Sequence, residues 1–297
     1  MNKDKAPAVI IEQADSTEEN LPINDEQPSK KKADSPNHHE FFKITKHFGV
    51  EAPLLPIEKQ MPIEDRCHKR ARLAVLRKQQ NIEAIMEKAF AFCSKASLDK
   101  RPDLDWFSRY ITLAEDVSNK TMQDLWAKIL AGELSRPNSF SLKALKIFRE
   151  MSIIDAKLLA KACSLAVKDQ SKKNIRIVSG SYQQPGLLNF FAKDRQVHVD
   201  LSHFGLNYAD ILSLADNNLI YQQESESSMM MIGEKLNFNY HGSPLQLSCK
   251  KPNIVVQFYK FTPIGCELAN LISDKPNDDF LTELKQQLSH HFTLTSS

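Results

Sequence analysis

The chain has 297 residues, of which 41% are hydrophobic and 26% are charged, the composition of a soluble globular protein of about two domains. Its apolar runs are far shorter than the ~20 residues of a transmembrane helix, and its N-terminus lacks the apolar core of a secretory signal, so a cytoplasmic protein is predicted. The formal net charge of +2 is spread unevenly. Residues 1–60 and 216–297 are each net acidic, whereas residues 61–100 are net basic.

Residues 1–60 are predicted to form a disordered acidic tail. They mix charged residues with Ser, Asn and Pro, and they offer few places to bury an apolar face. The more apolar stretch 40–50 leaves room for a short ordered patch. The lysines at 30–32 are flanked by acids on both sides, so this run is interpreted as solvated tail.

A helical domain is predicted over residues 61–170. It opens with a long helix from near Glu64, because the stretch that follows contains no Pro or Gly. In the second half of this helix, apolar residues recur at helical spacing and define one stripe: Ile82, Ile85, Met86, Ala89 and Cys93. Basic residues decorate several faces of the first half: Arg66, Lys69, Arg70, Arg72, Arg77 and Lys78. A solvated helix surface is the favoured interpretation of this basic cluster, and a binding patch is the alternative.

The central stretch MQDLWAKILAGELSRPNSFS, residues 122–141, predicts packing around a helix end and not a chemical site. Ser118 is the predicted N-cap of the helix, and Trp126 lies on its apolar, core-facing stripe. Gly132 allows the helix to end or a neighbouring helix to approach. Pro137 prevents the helix from continuing.

The residues that follow this helix are predicted to serve helix ends. Ser139 or Ser141 can cap the next helix, and Ser152 with Asp155 forms a capping box for a third one. Glu133 has no second titratable group within the motif, which a general acid or base would need. Glu133 is therefore predicted to be a hydrogen-bond partner for backbone groups that the helix end leaves unsatisfied.

The stretch EDVSNKTMQDLWAKILAGELSRPNSFSLKALK resembles the core of an uncharacterised bacterial domain family, in which V-S-N-x-x-M-Q-x-L-W-A-K-I-L-A-G-E is followed by P-x-S-F-S. The resemblance includes RLAVLRKQQNIEAIM upstream and ends near FTPIGCELANLI, so it covers most of residues 65–272. Asn138 stands where the family usually has Gly, which a turn tolerates because Asn enters the left-handed conformation readily. The resemblance implies a helical, cytoplasmic protein of bacterial origin without assigned chemistry. A similar W-A-x-L-L-A rhythm in some phage-defence helical domains suggests, by analogy alone, an accessory role in defence or stress.

Residues 171–275 are predicted to form a winged-helix-like α+β module. Strands are expected after residue 175, where β-branched and turn residues become frequent, and a helix begins near Asn207. A hairpin turn follows at 241–244, and the order of helix, hairpin and helix is typical of winged-helix domains. Residues 276–297 are predicted to be a C-terminal tail or a short helix.

A winged helix that reads DNA should be basic, because neutralisation of phosphates supplies most of its non-specific affinity. Residues 201–223, which would hold the recognition helix, contain no Lys or Arg, and residues 216–297 are net acidic. Nucleic-acid binding is therefore disfavoured but stays the alternative. Its electrostatic support consists of Lys250, Lys251, Lys260 and the basic cluster of the long helix.

No catalytic, cofactor-binding or metal-ligating residue is predicted. The eight glycines form no dinucleotide-binding or P-loop pattern, and the motifs of zinc proteases and serine hydrolases are missing as well. The five cysteines form no C-x-x-C pair and are interpreted as buried or incidental thiols of a reducing compartment. Cys67 and His68 are adjacent, so they diverge on a helix and make a poor metal site.

The predicted fold class is mainly α: a helical domain followed by a winged-helix-like α+β module, with a disordered N-terminal tail. The predicted function is a non-enzymatic protein-interaction or accessory module that needs no cofactor and does not contact a membrane, with an unidentified protein partner and an undetermined oligomeric state. A winged-helix nucleic-acid-binding regulator is the alternative. Charge reversal of Arg70, Arg72 and Arg77 separates the two, because only the regulator would lose a salt-sensitive nucleic-acid complex.

Overall fold

The computed structural model describes residues 36–93, 103–171, 174–185, 195–272 and 275–295. The chain divides into two compact units, Met1–Arg70 and Ala71–Ser297, and the division falls within the long helix α2 (Ile63–Phe92). Of the described residues, 54% are helical and 18% lie in strands. Within these ranges no helix combines the length and the apolar character that crossing a membrane requires.

The first unit contains helix α1 (Pro36–Phe48) and two single-turn 3-10 helices, Ala52–Leu54 and Ile57–Lys59. Buried Glu51 accepts a hydrogen bond from Lys69 Nζ, which links this segment to the start of α2. The same hydrogen bond lowers the pKa of Glu51. Residues 36–60 of the predicted disordered tail thus carry regular structure, and the rest of that tail lies outside the described residues.

Four helices follow α2 in the second unit: α3 (Leu104–Ala114), α4 (Lys120–Ser135), α5 (Leu142–Glu150) and α6 (Ile153–Ser164). Trp126 of α4 is fully buried, and its ring lies 5.3 Å from the rings of both Tyr110 and Phe148. The Tyr110 hydroxyl donates a hydrogen bond of 2.7 Å to the backbone oxygen of Trp126. Trp126 therefore anchors the packing of α3, α4 and α5, as its place on the apolar stripe predicts.

The described residues of the second unit also contain eight strands: β1 (Val167–Asp169), β2 (Ile175–Gln183), β3 (Gln196–His198), β4 (Ser225–Glu226), β5 (Lys235–Tyr240), β6 (Ser243–Cys249), β7 (Ile254–Lys260) and β8 (Phe292–Thr295). They form one antiparallel sheet in the order β4-β7-β2-β1-β5-β6-β8, and β3 pairs with β2. The short strand β1 joins the two halves of the sheet, because Lys168 pairs with Ile175 of β2 on one side and with Asn239 of β5 on the other.

Three further helices complete the second unit: α7 (Tyr208–Asp216), α8 (Pro263–Ala269) and α9 (Asp278–Leu288). Helix α8 packs against α5 and α6, and α9 packs against β2. The segment 276–297, predicted as a tail or a short helix, supplies both α9 and the edge strand β8. Buried residues of helices and strands thus belong to one continuous core in this unit.

The predicted fold class is wrong, because an eight-stranded antiparallel sheet replaces the small sheet of a winged helix. Strands β1, β3 and β8 have only three or four residues, too few to show the alternating pattern that identifies a strand in a sequence. Strand β1 also follows α6 directly, within a stretch whose composition favours a helix. Sheet formation here depends on pairing between segments that are distant along the chain.

The predicted N-cap of α4 is wrong by one residue. The side chain of Asn119 is the cap and accepts a hydrogen bond from the backbone N–H of Met122 at 3.1 Å. The Ser118 hydroxyl instead accepts a hydrogen bond of 3.2 Å from Asn81 Nδ2 on α2. Asn81 also donates to the backbone oxygen of Glu115, so this polar contact ties α2 to the loop between α3 and α4.

Candidate functional site

Glu133, near the end of α4, holds the loop that follows the helix. Its carboxylate accepts hydrogen bonds from the backbone N–H groups of Asn138, Ser139 and Phe140, at 2.6, 2.9 and 3.0 Å. The side chain is buried, with 6% of its surface exposed. Both carboxylate oxygens are thus engaged by the backbone, which is the structural role that the sequence predicted.

The other residues of this loop also serve packing. Helix α4 passes through Gly132 and ends at Ser135, ahead of Pro137. A Cβ atom on Gly132 would lie 3.0 Å from Cε2 of Phe140, so the glycine lets the phenylalanine ring pack against the helix. Asn138 has a φ of 66°, the left-handed conformation expected where the family usually has Gly.

The serines of the loop connect it to neighbouring helices. Ser141 caps α5, because its hydroxyl accepts a hydrogen bond of 3.1 Å from the backbone N–H of Ala144. The backbone N–H of Ser141 donates to Glu267 Oε2 of α8 at 2.7 Å. The Ser139 hydroxyl donates to the backbone oxygen of Arg136. Within residues 122–141, the groups that point into the protein therefore stabilise the fold.

The basic cluster of α2 is partly neutralised by acids. Lys69 pairs with Glu51, and Lys78 Nζ lies 2.6 Å from Glu115 Oε1. The hydrogen bond with Glu115 raises the pKa of Lys78. Arg77 is half-buried. The other members have no ion-pair partner among the described residues: Arg66, Arg70 and Arg72. Nucleic-acid binding through this cluster stays a prediction.

The outward face of α4 lines an apolar groove of about 270 Å³. On α4, Thr121, Leu125 and Lys128 fall at i, i+4 and i+7, so they lie along one face over about 10 Å of helix. Helix α6 contributes a second set over a similar length: Ile153, Ala156, Lys157, Leu159 and Ala160. Buried residues of α5, the turn that follows it and the α8 region complete the lining: Phe148, Met151, Leu268 and Leu271, with half-buried Ile272 beside them.

Small side chains keep this groove open. Ala156 and Ala160 lie at i and i+4 on α6 and present little more than a methyl group. Leu125 and Ile153 are only half-buried at its sides, so apolar surface faces solvent there. The apolar margin continues to Phe92 of α2, which is 50% exposed and lies under Lys128 Nζ at 6.0 Å from its ring centre.

The charged groups beside the groove leave a positive balance. Asp124, next to Leu125, pairs with Lys88 Nζ at 2.6 Å. Asp155, next to Ala156, accepts hydrogen bonds from the backbone and hydroxyl of Ser152. By contrast, Lys128 and Lys157 have no ion-pair partner in the described part of the chain. Two ammonium groups are therefore available at the edges of an apolar surface.

Two larger cavities are less suited to binding an apolar partner. One, of about 420 Å³, is lined by polar and apolar residues of the sheet, and its Asn237 and Gln246 side chains already hydrogen-bond each other at 2.7 Å. The other, of about 490 Å³, includes His241, whose Nε2 lies 3.2 Å from the backbone oxygen of Cys163. The Asn237, Gln246 and His241 side chains of these cavities are thus already engaged within the chain.

A serine and a histidine that sequence reasoning did not pair are adjacent in the core. Ser181 Oγ of β2 and His291 Nδ1, just before β8, lie 2.8 Å apart, and both residues are fully buried. Because no surface of either is exposed, the pair acts as a buried link between β2 and the end of the chain. No group of three or more His, Cys, Asp or Glu that could hold a metal ion occurs within the residues that the structure describes.

Comparison with known proteins identifies a family but no relative of known function. The model of a family described as "Protein of unknown function (DUF2806)" matches residues 65–285. Neither the curated proteins nor the solved structures include a match to the chain. The match therefore confirms the predicted membership in a domain family of unknown function.

Proposed function

The chain belongs to the family of unknown function that matches residues 65–285, and we propose that it is a non-enzymatic interaction protein of the cytoplasm. Its binding surface is the groove between α4 and α6, and its partner is an acidic amphipathic helix of another protein. The observation that carries the proposal is the combination of an open apolar groove with two lysines, Lys128 and Lys157, that have no ion-pair partner among the described residues. Under this proposal the protein has an accessory role, and its groove catalyses no reaction.

The shape of the groove favours a helix over a small ligand. Its volume of about 270 Å³ lies below the range of roughly 300–1,000 Å³ that is typical of small-molecule pockets. Its sides, formed by α4 and α6, each extend over about two helical turns. An amphipathic helix inserts apolar side chains at i, i+3 or i+4 and i+7 into a groove of this length.

The charges favour an acidic partner. Lys128 and Lys157 flank apolar surface, whereas the neighbouring acids Asp124 and Asp155 are engaged within the chain. A helix with carboxylates beside its apolar stripe would satisfy both ammonium groups at the rim, and a basic helix would be repelled. The negative charge expected of the partner is the part of the proposal that gives specificity, because apolar contacts alone do not distinguish partners.

Site-specific photocrosslinking in cells tests the proposal. A photoreactive amino acid replaces Thr121, an exposed and uncharged residue of the groove, and the matched control carries the same photoreactive residue at Lys143, an exposed lysine of α5 that does not line the groove. Mass spectrometry then identifies the crosslinked peptides. We expect position 121 to capture a segment with Asp and Glu next to apolar residues at helical spacing, and we expect position 143 not to capture it. No adduct at position 121 beyond the control, or adducts that lack this pattern, would overturn the proposal.

Nucleic-acid binding through the basic cluster of α2 is the rival function. It rests on Arg70 and Arg72, which are exposed and have no ion-pair partner among the described residues. Against it, Lys69 and Lys78 are neutralised by acids of the same chain. Reversal of both arginine charges would abolish a salt-sensitive nucleic-acid complex if the rival is correct, and it leaves groove binding unchanged if our proposal is correct.

A further inference from the structure

Arg176 of β2 is a half-buried cation that has no ion-pair partner among the described residues. Its guanidinium carbon lies 4.6 Å from the ring centre of Phe258 and 5.7 Å from that of Phe238. Burial lowers the pKa of Arg176, although an arginine stays charged at neutral pH. Its Nε is buried and has no hydrogen-bond partner. The two rings therefore hold a charged group in place and leave one of its donors unsatisfied.

A second cation stands directly opposite Arg176 in the sheet. Lys260 of β7 is its partner in the antiparallel register, so both side chains leave the same face of the sheet, with Cβ atoms about 4.5–5.5 Å apart. Lys260 is half-buried as well, and no ion pair to it occurs within the ranges that the structure describes. Like charges in directly opposite positions destabilise a sheet. An anion held between them would turn this repulsion into attraction, so the pair indicates an anion site.

Asp169 of β1 does not neutralise the two cations. Its charge acts on Arg176 from a distance, but the two side chains form no ion pair. The carboxylate instead accepts hydrogen bonds from the Ser171 hydroxyl and from the backbone and side-chain N–H groups of Asn174. Asp169 thus closes the turn between β1 and β2, and one acid stands against two cations.

The charge of the pair selects the class of anion. A guanidinium group donates to paired oxygens of a carboxylate or a phosphate, and a lysine adds a second positive charge. Two cations match a phosphate monoester, whose charge is about −1.5 to −2 at pH 7, better than a carboxylate or a phosphate diester with a single charge. Phe238 and Asp169 also line the cavity of about 420 Å³ described above, so the cluster borders space that a small molecule can enter.

We infer that Arg176 and Lys260 bind the phosphate group of a small phosphate monoester. Arg176 donates hydrogen bonds to the phosphate oxygens from its position between the two rings, and Lys260 supplies the second positive charge. Neither residue lines the groove between α4 and α6, so this site is independent of the function proposed for that groove.

The Nε–H signal of Arg176, observed by NMR in the full chain labelled with ¹⁵N-arginine, tests the inference. The signal is identified by its disappearance in the Arg176→Lys variant. Methyl phosphate, added at constant ionic strength, is expected to shift this signal to saturation. Dimethyl phosphate, a diester with a single negative charge, is expected to bind roughly tenfold more weakly. A signal that methyl phosphate does not move, or equal affinity for the two probes, would overturn the inference.

Substitutions provide the second arm. Lys260→Gln is expected to weaken the binding of methyl phosphate roughly tenfold, and Lys260→Arg is expected to retain it. The matched control is Lys235→Gln, at an exposed lysine of β5, which is expected to bind as the wild type does.

Arg176→Met keeps an unbranched side chain between the rings but removes the charge. Methyl phosphate should raise the thermal midpoint of the wild type and leave that of this variant unchanged. Circular dichroism shows whether each variant is folded. Unchanged binding in Lys260→Gln, an equal loss in Lys235→Gln, or stabilisation of Arg176→Met by methyl phosphate would contradict the phosphate site and leave Arg176 with a role in packing alone.

Discussion

Replacement of Glu133 by alanine should destabilise the second unit more than any exposed carboxylate does. The side chain is buried and accepts three backbone hydrogen bonds. In the variant, the N–H groups of Asn138 and Ser139 can turn to water, because these residues are at least partly exposed, but the N–H of buried Phe140 cannot. Loss of bonds to a charged acceptor costs about 1.5–3 kcal/mol, and an unsatisfied buried donor adds about 1–3 kcal/mol.

We therefore expect a decrease of about 3–4 kcal/mol in the free energy of unfolding, measured by urea titration with circular dichroism. Glu133→Gln should lose somewhat less, because the amide keeps one acceptor oxygen but turns an N–H donor toward backbone donors. The control is Glu150→Ala, an exposed carboxylate at the end of α5, for which we expect a change within about 0.5 kcal/mol. A Glu133→Ala variant as stable as this control would refute the assignment of Glu133 as the residue that holds the loop.

Three further changes test the packing. Gly265→Ala should prevent folding or strongly lower the thermal midpoint in a melt, because the new Cβ would overlap the backbone oxygen of Leu219; a variant with a wild-type midpoint would contradict this close contact. Tyr110→Phe should cost about 0.5–1.5 kcal/mol in the same urea titration, since it removes the buried hydrogen bond to the Trp126 oxygen, and an unchanged midpoint would contradict the bond. The pKa of Glu51 is lowered, so its stabilisation of the first unit is present above its ordinary pKa and is lost as pH falls through the lowered value. The protection of the backbone amides after α1 against hydrogen exchange, corrected for the intrinsic exchange rate at each pH, should therefore fall with acidification in the wild type but less so in Glu51→Gln, and equal pH dependence would contradict the assignment.

Local structure could be predicted from the sequence where the deciding atoms are close along the chain. The caps at Ser141 and Ser152 depend on a side chain and a backbone N–H three residues later, and the structure contains both. Trp126 is buried because the helical period alone places it on the apolar stripe. The α4 cap was missed because the Ser118 hydroxyl is used by Asn81, a residue of another helix that no local pattern reveals.

The sheet and the groove could not be predicted in the same way. Strand β1 has three residues and is defined by its partners β2 and β5, not by its own pattern. The groove combines α4 and α6 with Leu268 and Leu271, which lie far along the chain from Leu125. Leu125, one residue before Trp126, is only half-buried and forms part of this groove. The i, i+4 alanines of α6 were the only local signal of a groove, and small residues alone do not identify one.

The binding preference of the groove tests the central claim most directly. The measurement is the affinity of the protein for two designed, stapled helical peptides of about four turns. Both peptides carry leucines at i, i+4 and i+7. The residues that flank the leucines are all Glu in one peptide and all Lys in the other. Fluorescence anisotropy should show that the wild type prefers the Glu peptide and that Lys128→Glu with Lys157→Glu reverses this preference, with a change of roughly tenfold for each peptide. A Lys143→Glu control should behave as the wild type. Failure of the wild type to bind the Glu peptide, or equal binding of both peptides by the wild type and by the charge-reversed variant, would contradict an acidic-helix groove.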